Sequence, residues 1–582
     1  MNPLFSAADR KDRLGQMERE GYDILIIGGG ITGAGIALDA QTRGLKTALI
    51  EMQDFASGTS SRSTKLVHGG LRYLKQFQIK MVADVGKERA VVYENGPHVT
   101  TPEWMLLPFY RGGTFGTLST SLGLRLYDYL AGVKREERRQ MIPAAATAAK
   151  EPLLKKDGLL GGGTYVEYRT DDARLTMEVL KKAVEAGAAA VNYTKADRLL
   201  YENGKLAGVI AQDMEDGKEY RIAARQVVNA TGPWVDQLRA KDHSKRGKTL
   251  RLTKGVHLVF DGERFPLRQA IYFDTKDNRM IFAIPRDGKT YVGTTDTDYK
   301  GDTEHPRMTA ADRSYLLAAC NDMFPDVRLT ERDVESSWAG LRPLIYEEGK
   351  SPSEVSRRDE IFTSASGMIT IAGGKLTGYR KMAEQVTDLI VRRLSSGAGR
   401  TWKGCVTRTL PLSGGDVGGS AAFPAFVQRM KAEGERLGLT PPEAEMLARR
   451  YGSNVTAVYD RLQTWKPEPA HGLPGSVYAM LRYSMEEEMA LKPVDFFIRR
   501  TGALFFDIAW VHEHKAQVLA YMASELRYTD VQRRLYAAEL ERELRAAVSP
   551  SDEEEPHVAR EADHAAGRPA DERSGEAADQ TL

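Results

Sequence analysis

At 582 residues the chain is long enough to bury two or three hydrophobic cores, which excludes a single small domain. Cys320 and Cys405 are far apart and in no CxxC pattern, which excludes a disulfide scaffold or a cysteine-ligated metal centre and points to a reducing compartment. The net charge of +2 hides an uneven distribution: ten acids against three arginines from Asp552 onward give that end −7 and leave +9 for the rest. That positive body suits an anionic substrate or acidic lipid surface, or is a solvated basic surface. No eighteen-residue apolar run and no apolar leader occurs, so a membrane-spanning chain is not expected.

The first predicted element is a short β-branched strand, Asp23 to Ile27, running into Gly28-x-Gly30-x-x-Gly33. A helical pattern through Ile36, Ala37 and Ala40 follows; Gly44 stops it, and Lys46 to Ile50 reads as a second strand ending on Glu51. This is a complete βαβ unit for a dinucleotide. Gly28 makes the tight turn, Gly30 lets backbone N–H groups approach a pyrophosphate, and Gly33 lets helix and strand pack closely. The helix N-terminus offers unpaired N–H donors and the positive end of its dipole. Glu51 stands where such folds place an acid on the adenosine ribose.

Further along, Gly116 to Gly132 places Leu118, Leu122, Leu126 and Tyr129 on one helical face, which dips into a bilayer surface or covers the core. Two later segments repeat the strand-glycine-helix pattern: "VVNATGPWVD", containing Gly232, and "MITIAGGKLTGYRKMAE", containing Gly373 and Gly374. A nicotinamide enzyme with one fingerprint has no need of two such returns, whereas a flavin ring far from its adenine requires distant segments to converge. Between them, Gln269 to Phe273, Met280 to Ile284 and Thr290 to Gly293 read as strands. Glycine-rich Leu412 to Ser420 marks a linker, periodic apolar residues continue to Ala547, and the acidic tail, 551–582, is too polar to order itself.

Taken in order, "GGGITGAGIALDAQTRG", "TSSRSTKLVHGGLRYL", "VVNATGPWVD", "KGVHLVF", "GTTDTDYKGD", "AGLRPL" and "AGGKLTGYRKMAE" resemble the FAD-dependent glycerol-3-phosphate dehydrogenases, from about Tyr22 to Ala547. The resemblance implies an α/β fold: a Rossmann-like FAD-binding domain from 20–90, 165–250 and 355–395, interleaved with an antiparallel-sheet substrate cap from 91–164 and 251–354. A linker at 396–420 and an all-helical C-terminal domain at 421–547 follow. It implies oxidation of sn-glycerol 3-phosphate at C2 to dihydroxyacetone phosphate, with FAD passing electrons to a membrane quinone. A cytoplasmic protein peripheral on the inner face of the membrane, a homodimer, and neither a metal nor a nucleic-acid partner are expected with it.

For the cofactor the resemblance implicates Gly28, Gly30, Gly33 and Glu51; Thr59, Ser60, Ser61, Ser63, Thr64, Lys65, Gly69 and Gly70 on the path toward the flavin ring; and Gly232, Gly373, Gly374, Lys375, Leu376 and Thr377 around it. The helix near Lys375 is expected to aim its N-terminus where negative charge grows on flavin reduction. For the phosphate it implicates Arg342 and Arg357, with Arg72 and Tyr73; Arg358 competes with Arg357 for register. Arginine forks match phosphate oxygens. His257, with a pKa near neutrality, is the candidate base, and Lys375 and Arg342 stand ready to stabilise a developing alkoxide. Thr294, Thr295 and Asp296 read as supporting residues. Rival readings are a glycerol-3-phosphate oxidase using oxygen, another oxidase of the D-amino-acid-oxidase-like group, a nicotinamide dehydrogenase, and a non-enzymatic flavoprotein.

Overall fold

The structure, a computed structural model, describes residues 5–67, 79–113, 138–347, 359–398 and 401–553. Gly69, Gly70, Arg72, Tyr73, Arg357, Arg358, the 116–132 face and the tail from 554 lie outside the described residues.

One sheet runs in the order Glu360–Thr363, Ile369–Ala372, Glu219–Asn229, Gly21–Ile27, Thr47–Ile50, Ala189–Val191. Its middle is parallel, with Gly21–Ile27 between Glu219–Asn229 and Thr47–Ile50. Every residue of Gly21–Ile27 after the first is buried, as a strand covered on both faces requires. Thr194–Glu202 and Lys205–Asp213 extend the sheet antiparallel from Glu219–Asn229. Helices Asp172–Glu185 and Tyr379–Ala398 pack on Ile31–Thr42.

The second sheet is largely antiparallel and contains the long pair Lys248–Asp261 and Val334–Glu347, in register from Lys248↔Glu347 to Val259↔Ser336, with a shift before Phe260↔Val334. The strands expected at 269–273, 280–284 and 290–293 are Ala270–Asp274, Met280–Arg286 and Lys289–Gly293. Leu66–Val67 and the whole of Leu159–Thr170 pair within this sheet, so its membership crosses the segment limits drawn from sequence at 90 and 165.

Helices Phe423–Arg436, Pro441–Tyr451, Val455–Gln463, Gly475–Glu487, Ile508–Glu525 and Asp530–Val548 form the C-terminal part. Thr440 with Glu443 and Thr529 with Gln532 close capping boxes at two of their starts. The stretch ahead of it is packed rather than loose: Leu412 donates to Asn95 O (2.9 Å) and Ser413 to Glu185 (2.6 Å).

A buried charge cluster fastens this helical part to the first sheet. Asp495–Arg500 is a π-helix, and its Arg499 and Arg500 donate to the Asp54 carboxylate at 2.6 and 2.8 Å, joined by Asn192 at 2.9 Å. Burial alone would raise the Asp54 pKa, but the two guanidinium charges hold it down at about 2. Asp54 lies three residues past Glu51, so the turn leaving the second strand is tied to a segment some 445 residues away. Among the described residues no helix is long and apolar enough to cross a membrane.

Candidate active site

The three glycine turns foreseen from sequence meet at the C-terminal ends of the parallel strands, around a cavity of about 330 Å³. Such a crevice outside the carboxyl ends of the strands is where an α/β sheet binds ligands. Gly28, Gly30, Glu51, Thr59, Ser60, Ser63, Gly232, Gly373, Gly374, Lys375 and Leu376 line it.

Each turn uses glycine for a reason that can be located. Gly28 has φ +115°, and a Cβ there would stand 2.5 Å from the Ala230 carbonyl oxygen, in the neighbouring strand's own turn. Gly373 and Gly374 have φ of +74° and +83°, which lets the chain leave Ile369–Ala372 and enter the short 3₁₀ turn Leu376–Gly378, with Tyr379–Ala398 behind it. Gly30 caps Ile31–Thr42 with no side chain of its own, and Ser60 Oγ accepts from Ile31 N at 3.0 Å instead. Glu51 accepts from Gly29 N (2.6 Å) and Gln53 N (2.9 Å), while burial pushes its carboxyl above the usual range.

Several expected cofactor residues stand elsewhere. Gly33 does not line the cavity; a Cβ there would collide with the Gly28 carbonyl, so this glycine serves the close packing of helix on strand and turn expected of it. Lys65 is turned away: its ammonium bonds Asp172 (2.7 Å) and Ser61 O (2.9 Å) and lies over the Trp338 and Phe505 rings. A buried ammonium needs a carboxylate, and the chain places it a hundred residues away. Ser61 and Thr377 are buried off the cavity, and Thr64 faces His257.

The segment 59–65 lies between the cavity and the second sheet and is bonded to that sheet along its length. Thr59 Oγ1 donates to Leu341 O (2.7 Å), Trp338 Nε1 to Ser63 O (3.0 Å), and Tyr291 OH to Thr64 O (3.1 Å). Gly340 makes the approach feasible, since a Cβ there would strike the Arg62 carbonyl.

On the same face stand His257 and Arg342. Their strands pair Thr253↔Arg342, Gly255↔Gly340 and His257↔Trp338, so Arg342 and His257 are separated by one glycine rung. Arg342 leans over Gly255, where a Cβ would meet its guanidinium, and donates to Thr294 Oγ1 (3.0 Å), Thr295 O (3.2 Å) and Asp296 (3.3 Å). His257 stacks on Trp338 with ring centroids 4.7 Å apart, and its Nε2 meets Thr64 Oγ1 at 3.1 Å. Nδ1 is buried with no hydrogen-bond partner among the described residues. Burial, then the Arg342 and Lys65 charges, push its pKa well below 6.5, so the ring is neutral. Neither Arg342 nor His257 lines the 330 Å³ cavity; of the candidates for chemistry only Lys375 does.

Sequence reasoning missed part of the wall. Trp234 and Gln237 line the cavity, and a Cβ on Gly58 would press on Trp234; the aromatic in "ATGPWVD" was the available signal. Thr194, Lys195 and Ala196 enter from an antiparallel strand that carries no motif. Among the described residues no group of three or more His, Cys, Asp or Glu could hold a metal.

With this geometry in place, comparison with known proteins is decisive. Residues 23–380 match the family described as FAD dependent oxidoreductase, and 405–533 match the C-terminal domain of alpha-glycerophosphate oxidase. An aerobic glycerol-3-phosphate dehydrogenase of Bacillus subtilis (strain 168) is 61% identical over 551 residues, 94% of this chain and 99% of that protein. This chain belongs to the FAD-dependent glycerol-3-phosphate dehydrogenase family. Its namesake from Staphylococcus haemolyticus is 58% identical over 526 residues, covering 90% of this chain and 94% of its own. The crystal structure of a glycerol-3-phosphate dehydrogenase from Bacillus halodurans complexed with FAD aligns with a TM-score of 0.83 at 51% identity, covering 95% of this chain and 100% of the other. FAD is the cofactor of this family member, and the chemistry of the cavity wall fits it: a glycine turn at a helix N-terminus, an acid, Glu51, at the end of the next strand, and two further glycine turns.

Proposed function

We propose that the protein oxidises sn-glycerol 3-phosphate at C2 to dihydroxyacetone phosphate and delivers the electrons to a membrane quinone. FAD, when bound, supplies the two-electron acceptor. The observation that carries the proposal is that Arg342 and His257 share one sheet face, with only the Gly255/Gly340 rung of that face between them, against segment 59–64. Arg342 takes the substrate phosphate with its planar fork, exchanging part of its contact with Asp296 for a charge of nearly −2. His257, neutral and with an unbonded Nδ1, takes the C2 hydroxyl proton. A ring with so low a pKa is a weak base in the free protein; a phosphate dianion on Arg342 cancels one of the charges that lower it, so proton affinity rises as substrate binds. Lys375, on the cavity wall, stabilises the alkoxide that develops at C2. Arg72, Tyr73 and Arg357 complete the phosphate site in this reading.

We assign the cofactor-binding role to 20–90, 165–250 and 355–395 apart from the strand residues 66–67 and 165–170, the substrate cap to those strand residues with 91–164 and 251–354, and a peripheral seat on the inner face of the membrane, as a homodimer, to the whole chain. The test is anaerobic. Purified protein carries a yellow flavin spectrum that sn-glycerol 3-phosphate bleaches and that a soluble quinone restores with a 1:1 yield of dihydroxyacetone phosphate. Reoxidation by oxygen with stoichiometric hydrogen peroxide, at a rate the quinone does not exceed, would make it an oxidase instead.

A further inference from the structure

A second cavity, of about 310 Å³, lies against strand Val334–Glu347, enclosed by helix Asp530–Val548 and the loop at 302–308. Apolar side chains make most of its wall, Trp338, Leu504 and Phe505 among them, with three arginines, Arg62, Arg307 and Arg542, and two acids, Asp302 and Glu543. None of the three is within ion-pair distance of a carboxylate among the described residues. Arg62 donates one hydrogen bond, to Glu304 O at 3.1 Å, and Arg307 one, to Ser549 O at 3.2 Å, with its Nε buried and unbonded. Arg542 donates none.

Buried arginines elsewhere in the molecule are matched: Arg10 to Asp213 at 2.8 Å, Arg89 to Glu167 at 3.1 Å, Arg380 to Glu88 at 2.6 Å, Arg500 to Asp54 at 2.8 Å. Of the cavity's two acids, Glu543 and Asp302, the first pairs with His305 at 3.4 Å. Arg62 and Arg307 are partly buried and Arg542 is exposed, and the two carboxylates on the wall, Glu543 and Asp302, offset only part of the three charges, so the guanidiniums beside apolar surface keep a desolvation cost that a bound anion relieves. Burial lowers the Arg62 pKa against the opposing charges of Glu543 and Asp302. An apolar wall next to unmatched cationic forks is satisfied at both ends by one kind of molecule, an anion with an apolar body. Glu543 and Asp302 on the same wall disfavour a dianion and so select a carboxylate over a phosphate ester. At ~30 Å³ per non-hydrogen atom the volume holds about ten such atoms.

We propose that this cavity binds a small amphiphilic carboxylate, its acyl or aryl body against Trp338 and Phe505 and its carboxylate on Arg62, Arg307 and Arg542. The site stands independently of the substrate assignment. It shares a wall with the cofactor cavity, because Arg62 falls between Ser61 and Ser63 and Trp338 holds the Ser63 carbonyl at 3.0 Å. An occupant therefore touches the segment that lines the FAD site.

The test is calorimetric titration of octanoate into the FAD-loaded full-length protein. Saturable one-to-one binding is expected, with octylamine and inorganic phosphate failing to compete. Arg542→Gln, at an exposed position without partners, should weaken octanoate about tenfold, and Ala546→Trp, which fills the cavity from the helix, should abolish binding. Octylamine binding as well as octanoate, or octanoate affinity unchanged in Arg542→Gln, would overturn the proposal. A chain ending at Glu553 should bind octanoate with unchanged affinity; binding that emerges only on this truncation would make the acidic tail the occupant and overturn it equally.

Discussion

Around the cofactor cavity the backbone does the shaping, whereas on the face that carries His257 and Arg342 the side chains do, on a platform that glycine keeps clear. In the first region Gly28, Gly232, Gly373 and Gly374 turn the chain through positive-φ conformations that other residues rarely adopt. In the second, Gly255, Gly293 and Gly340 lie flat in strands and make room for a neighbour: the Arg342 guanidinium, the His257 ring and the Arg62 carbonyl respectively. The same residue type thus does two jobs. In one it permits a turn, and in the other it permits a contact between elements remote in sequence.

The sharpest way to separate the two regions is to fill one glycine of the first kind. Gly28→Val puts a branched side chain at φ +115° against a backbone carbonyl that cannot move away, so FAD retention should be lost outright. Retention of the flavin spectrum on purification would show that the turn tolerates bulk and that the cavity is not shaped as described.

The second region is tested by side chains, and His257 should have the largest effect there. His257→Asn should slow flavin reduction by about 10² to 10⁴ with FAD still bound; a near-normal rate would move the base to Lys375. The same substitution has a stability signature. The native ring resists protonation, while the unfolded chain binds the proton with a pKa of about 6.5. Stability is therefore intact above pH 6.5 and falls as pH drops below it, by up to about 1.4 kcal/mol per pH unit for this site. His98, held at about 3 by burial beside Arg174 and Lys181, adds a like loss. Denaturation midpoints at pH 7.5 and 5.5 should differ less in His257→Asn than in the parent.

Arg342 comes next. Removing one member of a buried charged pair costs roughly 2 to 5 kcal/mol, and Arg342 is about a quarter exposed without substrate, so Arg342→Ala should fall toward the lower end, a loss of about thirtyfold or more in kcat/KM. Arg342→Lys should recover part of it, keeping charge but not the planar fork. The ratio of kcat/KM for glycerol 3-phosphate to that for glycerol should collapse in Arg342→Ala; an unchanged ratio would remove Arg342 from the phosphate site.

The contrast also explains what could be read from sequence. The βαβ unit of 22–52 is local: strand, turn, helix and Glu51 are consecutive, so its geometry and its ligand class were legible together. The two later glycine turns were legible as turns, and their convergence followed from asking what needs three. The face that carries His257 and Arg342 was not legible in the same way. That His257 meets Trp338 and Thr64, and that Arg342 rests on Thr294 and Asp296, depends on strand register across some eighty residues and on a segment 193 residues earlier. Lys65 is the clearest miss: "STKLVHGG" reads as a polar approach to the flavin, but the ammonium follows its counter-ion, Asp172, beneath the segment. The Asp54 cluster was invisible for the same reason, since "DFFIRR" has the composition of an ordinary helix and its partner lies in the turn leaving strand Thr47–Ile50, some 445 residues earlier.

The smallest effect concerns the tail, and here the structure refines the expectation from composition. Residues 551–553, though as polar as the rest, are docked: Ser551 N bonds Met308 O at 2.8 Å, Asp552 accepts from Ala310 N at 2.7 Å, and Glu553 pairs with Arg313. Asp552 thereby meets the first turn of helix Ala310–Met323, where a carboxylate is favoured by the unpaired N–H groups and the dipole, by about 0.3 to 1 kcal/mol. The Arg313 pair is half-exposed on its acidic side and adds little more. Two truncations should therefore differ. A chain ending at Glu553 should match the parent in FAD content, turnover and thermal midpoint, because residues 554–582 carry too few apolar groups to offset their own ordering. A chain ending at Pro550 should lose these contacts and melt lower by about 1 to 2 °C, with catalysis unchanged, since the affected helix packs against Lys254, Val256 and Leu258, on the sheet face opposite His257 and Arg342. Equal midpoints for the two truncations would mean that the docking of 551–553 contributes nothing, and a marked drop for the chain ending at Glu553 would mean that the remaining acidic residues bind the body of the protein.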